Sequence, residues 1–280
     1  MTTLYACDLD GTLLDANAQL SATTARMLHE LTADGHLITF VTARTPATIE
    51  PILAPAHPCI PGVAMTGSAI WDPLTRQYKS ITFFNRSDVY VIESIFFKYD
   101  TTPFIYTKEH DSNQLVAYKE SRQLSPIEQQ FVDEREFSDL KTFHIGEFYP
   151  KGKEDCTVLF FAFGEPDKIR AICAEIHSRT NCYSSWFPDI YNPGVAIVEV
   201  FAEGVSKANG MLKLKEMLGA DRIVAFGDNL NDIPMLQAAD IGVAVANAQD
   251  EVKAVADLVI GPNTADSVMH FIKDDIAKTL

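Results

Sequence analysis

Near its amino terminus the chain reads Leu4-Tyr5-Ala6-Cys7-Asp8-Leu9-Asp10-Gly11-Thr12-Leu13-Leu14, and no other stretch restricts its fold as much. The short apolar run predicts a buried strand, and it ends in two carboxylates one residue apart, followed at once by Gly-Thr. At the end of a strand, side chains at i and i+2 point the same way. Asp8 and Asp10 would then face one point beyond the sheet edge, where open α/β sheets bind ligands. Two carboxylates so close repel each other and call for a cation, a shared proton or a hydrogen-bonded loop. A bare Asp-x-Asp reads equally well as a solvated acidic turn, so the rest of the chain has to decide.

The elements that follow alternate. Ser21 suits the N-cap of a helix through Met27, Leu28 and Leu31, which Gly35 stops. Residues 36–41 predict a second strand, running into Thr42-Ala43-Arg44-Thr45-Pro46, where Pro46 opens a helix. A third strand, 62–65, leads to Thr66-Gly67-Ser68. This β-α-β-α-β order predicts a doubly wound parallel sheet of Rossmann-like, α/β type. From about Phe83 several strands follow one another without helices between them, the pattern of an α+β domain with an antiparallel sheet. Alternation resumes with a strand at 195–201, a helix at 207–218 capped by Ser206, and a strand at 222–226. That last strand runs into Gly227-Asp228-Asn229-Leu230-Asn231-Asp232. The expected organisation is a core built from residues 1–82 and 188–280, with an α+β domain, 83–187, inserted. A length of 280 residues suits two moderate domains.

Charge narrows the partners. Lys and Arg number 23 against 38 Asp and Glu, a net charge of −15, which disfavours nucleic acid and anionic membrane surfaces and suits divalent cations. The five cysteines are scattered, with no Cys-x-x-Cys, and read as reduced thiols. No apolar run approaches the roughly 20 residues of a membrane span. The first fifteen residues carry three aspartates and no Lys or Arg, unlike a signal peptide, so a cytoplasmic location is expected. His110 and His144 show no metal-ligand spacing. Phe96, Phe97 and Tyr99 read as core of the inserted domain.

Four short stretches fall at predicted strand ends or helix starts: Asp8-x-Asp10, Thr42, Lys207, and Asp228 with Asp232. In that order, with the insert between the second and third, they resemble the haloacid dehalogenase superfamily, and within it the Cof-like phosphatases with the large type-2 cap. The resemblance covers the whole chain. It implies that Asp8 is a nucleophile forming an aspartyl-phosphate, and that Asp10 protonates the leaving oxygen and later deprotonates the attacking water. Thr42 and Lys207 would hold phosphoryl oxygens, with backbone N–H groups around Leu9 and Ala43 as further donors. Mg2+ would sit on Asp8, the Asp10 carbonyl and Asp228, with Asp232 acting through water or by holding Lys207. Arg44 is expected to touch substrate or cap, and Asn231 to order the metal loop and meet the phosphate. Two departures stand out: Ala43 replaces the usual middle glycine of Thr-Gly-Arg, and Thr66-Gly67-Ser68 replaces Asn-Gly-Ala. Gly67 keeps the close backbone approach, but the amide contact is lost.

The resemblance implies a Mg2+-dependent phosphomonoesterase acting on a small phosphorylated metabolite, a sugar phosphate above all. Asp10 argues against a dehalogenase, which needs no acid for an alcohol leaving group. Leu9, where ion-pumping ATPases carry lysine, argues against that branch. The 33 residues between Asp8 and Thr42 leave no room for the other common cap position. A phosphohexomutase of the same fold and a non-catalytic binding module are the alternatives. The sequence does not specify substrate or oligomeric state.

Overall fold

The computed structural model describes residues 1–109, 111–189 and 192–279. His110, read above as a histidine without a metal role, lies outside them. The chain forms two compact units, one of residues 1–80 and 206–280, the other of residues 81–205.

The first unit opens with β1 (Thr3–Cys7), buried along its whole length, and a kinked turn, Leu9–Leu13. Then come α1 (Ala22–Ala33), β2 (Leu37–Phe40) and α2 (Pro46–Leu53). The Ser21 side chain accepts a hydrogen bond from Thr24 N at the start of α1, and Pro46 begins α2. β3 (Gly62–Ala64), β4 (Ala69–Asp72) and β5 (Gln77–Ile81) form a small sheet of their own, β3 and β4 antiparallel. The third predicted strand is therefore not a full member of the parallel sheet. It meets the end of β2 through a single parallel bridge, Val41 to Val63, before turning back.

The second unit contains α3 (Arg86–Lys98), β6 (Phe104–Lys108), β7 (Leu115–Lys119), α4 (Pro126–Asp133), β8 (Lys141–Ile145), β9 (Thr157–Gly164), α5 (Pro166–Arg179), β10 (Cys182–Pro188) and β11 (Ala196–Glu203). Its sheet runs β10-β11-β9-β6-β7-β8, antiparallel except for the edge pair β7 and β8. The period of two along β9 divides its aromatics between two faces. Phe160 packs on Phe84 and Phe96, while Phe161 stacks on Phe131 of α4. Phe97, expected in the core, is exposed, because it falls off the buried stripe of Val89, Ile92 and Phe96 on α3.

The chain then completes the first unit with α6 (Lys207–Leu218), β12 (Arg222–Gly227), α7 (Ile233–Ala238), β13 (Ile241–Ala244), α8 (Asp250–Val255), β14 (Leu258–Val259) and α9 (Ser267–Thr279). The main sheet runs β14-β13-β12-β1-β2 and is parallel throughout. The expected return to the core at residue 188 is corrected here: β11 pairs with β9 and β10, so residues 188–205 fold with the second unit. An apolar alternating strand reads the same whichever sheet receives it, and hydrogen-bonding partners are what assign it.

Candidate active site

The register of the parallel sheet assembles the site. Cys7 lies opposite both Phe226 and Phe40, so β1, β12 and β2 end side by side and in the same direction. Asp8, Asp228 and Thr42 therefore emerge at one edge of the sheet. The N–H of Asp8 still donates to Phe226 O, and that of Thr42 to Val63 O. Lys207 arrives from elsewhere, as the first residue of α6, behind Ser206, whose hydroxyl caps Asn209 N.

These side chains meet out of solvent. Asp8, Thr42 and Lys207 are no more than 3% exposed and Asp232 is fully buried. The Lys207 ammonium donates to Asp8 Oδ1 at 2.7 Å and to Asp232 Oδ1 at 2.6 Å. The other oxygen of Asp232 accepts from the N–H groups of Asp228 and Asn229, each at 3.0 Å. Thr12 donates to Asp228 Oδ1 at 2.8 Å. Oxygens of Asp8, Asp228 and Asp232 lie within 4.8 Å of one another. Three carboxylates thus gather around one ammonium, which bonds two of them.

The electrostatics follow from that imbalance. Burial, reinforced by the charge of Asp232, pushes Asp8 well above the usual carboxylate range although Lys207 opposes it. Burial likewise raises Asp228 to about 6, against the hydrogen bond from Thr12. Burial alone would lower Lys207, but Asp232 and Asp8 override it and hold the ammonium above its ordinary range. More positive charge than Lys207 supplies is needed to ionise the cluster fully.

Asp10 stands apart from this cluster. It sits in the kinked turn before Gly11, which has a φ of 77°. A Cβ on Gly11 would lie 2.4 Å from Asp228 Oδ2, so the approach of that carboxylate demands glycine. The Asp10 carboxylate is gripped at both oxygens by Arg44, Nε to Oδ2 at 2.7 Å and Nη2 to Oδ1 at 2.6 Å. Arg44 thus faces another site residue, a partner the sequence did not suggest. The Thr42 hydroxyl accepts from Arg44 N at 3.2 Å and donates to no protein acceptor among the described residues. The N–H groups of Leu9 and Ala43 are likewise free of protein acceptors among the described residues.

Two expectations change. The loop after β12 is ordered not by Asn231 but by Asp232 and by Asn229, whose side chain accepts from Leu230 N. Asn231 instead has a buried side-chain oxygen without a partner. Gly67 approaches backbone, as anticipated, but that of Ser206, where a Cβ would lie 2.0 Å from the carbonyl oxygen. The sequence reading missed Thr12 as a partner of Asp228 and Arg44 as a partner of Asp10. The Gly-Thr after Asp10 was the available signal for the first. Nothing local signalled the second.

Comparison with known proteins gives the family of the chain. Residues 5–272 match the family model of haloacid dehalogenase-like hydrolases. The chain is 26% identical to the 5-amino-6-(5-phospho-D-ribitylamino)uracil phosphatase YitU of Bacillus subtilis, over 97% of this chain and 96% of that protein. It is 27% identical to the pyridoxal phosphate phosphatase YbhA of Escherichia coli, over 97% of both. Among solved structures, a haloacid dehalogenase-like hydrolase from Bacteroides thetaiotaomicron superposes with a TM-score of 0.77 at 21% identity, covering 98% of this chain and 99% of that one. A subclass IIB sugar phosphatase gives 0.72 at 20% identity, covering 98% of each chain. By its match over residues 5–272, the chain belongs to the haloacid dehalogenase-like hydrolases, in their Cof-like branch.

Proposed function

We propose that this protein is a Mg2+-dependent phosphatase that hydrolyses a small phosphorylated metabolite, a sugar phosphate first among the candidates, through an aspartyl-phosphate on Asp8. The observation that carries the proposal is the buried Lys207 ammonium shared between Asp8 and Asp232, at 2.7 and 2.6 Å. It fixes a strand-end carboxylate in place and opposes the burial that favours its protonated form, in a site that a dianion must enter.

Each residue then has a task. Asp8 attacks phosphorus as the leaving oxygen departs with a proton from Asp10. Asp10 then removes a proton from the water that cleaves the acyl phosphate. The Thr42 hydroxyl, the N–H groups of Leu9 and Ala43, and Lys207 donate to phosphoryl oxygens, neutralising charge where it builds up. Asn231 is assigned to the substrate phosphate through its NH2 group, since its buried Oδ1 can only accept. Asp232 positions Lys207 and the loop that carries Asp228.

The donor set suits a hard cation, because only oxygens converge and carboxylates outnumber ammonium. Asp8, Asp228 and the Asp10 carbonyl would hold Mg2+, with both oxygens of Asp232 already engaged. Once bound, the ion would neutralise the phosphoryl group and keep the carboxylates ionised. The inserted unit, residues 81–205, is assigned the choice of leaving group, since every core residue given a task above acts on the phosphoryl group or the leaving oxygen alone. Relatives named for a phosphorylated ribitylaminouracil and for pyridoxal phosphate support a compact metabolite.

The test is phosphate release from a panel of phosphorylated sugars, nucleotides and cofactors, wild type against Asp8→Asn. Release by wild type should vanish with a chelator and return with Mg2+. Asp8→Asn should lose at least about 10³-fold in kcat. Turnover that survives Asp8→Asn would sink the proposal.

A further inference from the structure

The two-point grip of Arg44 on Asp10 has no part in the assignments above. Asp10 is about half exposed, its side chain 51% accessible, and it sits in a turn where its neighbour Gly11 is left-handed. Among the described residues, no hydrogen bond other than those from Arg44 orients its carboxylate. Arg44, by contrast, starts from a braced backbone. Its carbonyl accepts from Met65 N at 3.0 Å, its N–H donates to the Thr42 hydroxyl, and Thr42 O accepts from Thr66 N at 3.0 Å. The brace is itself strained: Met65 and Thr66 have φ of 54° and 57°, and such a conformation in a β-branched residue persists only where its surroundings fix it.

We propose that Arg44 is a positioning residue, which aims the Asp10 carboxyl at the leaving oxygen of the substrate. The inference rests on the phosphatase reading of the site. A planar guanidinium bonded to both oxygens fixes the carboxyl plane as well as its place, which a lysine cannot do. One lone pair on each oxygen faces Arg44, so the proton destined for the substrate must lie on the other side. The Nε–Nη2 edge, one of the edges that can clasp a phosphate at two points, is already filled. In the step concerned, Asp8 forms a bond to phosphorus as the phosphorus–oxygen ester bond breaks. The Asp10 carboxyl gives its proton to the departing oxygen, releasing an alcohol and leaving a carboxylate on Arg44.

A leaving group that departs readily as an anion needs no such proton. The experiment therefore compares kcat/KM for 4-nitrophenyl phosphate with that for the sugar phosphate wild type turns over fastest. This parameter covers only the steps up to loss of the leaving group. Arg44→Ala should lose about 10²-fold or more on the sugar phosphate and less than about 10-fold on the aryl ester. Arg44→Lys should fall between, and carries the comparison if the alanine variant does not fold. In an Asp10→Asn background, adding Arg44→Ala should change the sugar phosphate value less than about 3-fold, because Arg44 acts through Asp10. Equal losses on both esters, or a full further loss in the Asp10→Asn background, would assign Arg44 to substrate binding or the scaffold instead. Wild type inactive on the aryl ester and on every phosphate of the panel would overturn the phosphatase reading and this inference with it. An active wild type lacking the leaving-group contrast would overturn this inference alone.

Discussion

At the scale of single residues, Asp232 holds the site together without taking part in the proposed chemistry. Its carboxylate accepts from Lys207 through one oxygen and from two backbone N–H groups through the other, fully out of solvent. Asp232→Ala would leave a buried ammonium with one partner fewer and two N–H groups with none. The expected loss is about 3–5 kcal/mol of stability, read from urea denaturation. A loss under about 1 kcal/mol would show that the loop can re-form its bonds elsewhere. Gly67→Ala should also destabilise strongly, through a contact with the Ser206 carbonyl and a φ of 103°. Residues of this kind were partly legible. Asp8, Lys207, Asp228 and Asp232 each stand at a strand end or helix start that capping and periodicity reveal. The partner of Arg44 was not legible, since residues 10 and 44 meet only because two loops bend toward each other.

Among the secondary-structure elements, β8 carries a feature unrelated to the proposed chemistry. Lys141 opens this edge strand at 3% exposure, its ammonium 5.3 Å from the Tyr106 ring and 5.8 Å from that of Phe143. No acceptor hydrogen-bonds it among the described residues. Burial, helped by the Arg135 guanidinium, lowers it to about 7. The folded state then binds fewer protons than the unfolded chain between about pH 7 and the ordinary lysine value near 10.4. The destabilisation is complete below about pH 7 and fades as pH rises toward 10.4. Lys141→Met should therefore stabilise the protein by about 3 kcal/mol at neutral pH and by progressively less above it. Denaturation curves at pH 7 and pH 10 check this, and an equal gain at both would refute it. The elements also show where reading a sequence stops. The helix starts at Ser21, Pro46 and Ser206 were visible in local chemistry. The membership of β11 was not, because strand pairing is a long-range fact that alternation does not encode.

For the whole molecule, the two units differ in how the chain builds them. Residues 81–205 are continuous and contain a complete six-stranded sheet with its own buried core of Phe104, Phe160, Val198 and Val200. Expressed alone, this segment should fold cooperatively, with a single urea transition and dispersed amide resonances. A collapsed, non-cooperative product would show that it depends on the remainder. The other unit has no such independence, because its sheet joins β1 and β2 from one end of the chain to β12, β13 and β14 from the other.

That sheet order carries a consequence for the newborn chain. β1 is an interior strand of its sheet, yet β12, which covers one of its edges, begins at Arg222. At typical rates of translation the wait between them is roughly 10–40 s, during which a strand destined to be wholly buried has β2 on one side and no permanent partner on the other. Ribosomes that stall or terminate before Arg222 would release chains with an open strand edge and a lone Asp-x-Asp. Such fragments should be aggregation-prone and recruited to chaperones. Asp8, the proposed nucleophile, is made 199 residues ahead of Lys207, its ion-pair partner, and further still ahead of Asp228 and Asp232, the acids that surround it.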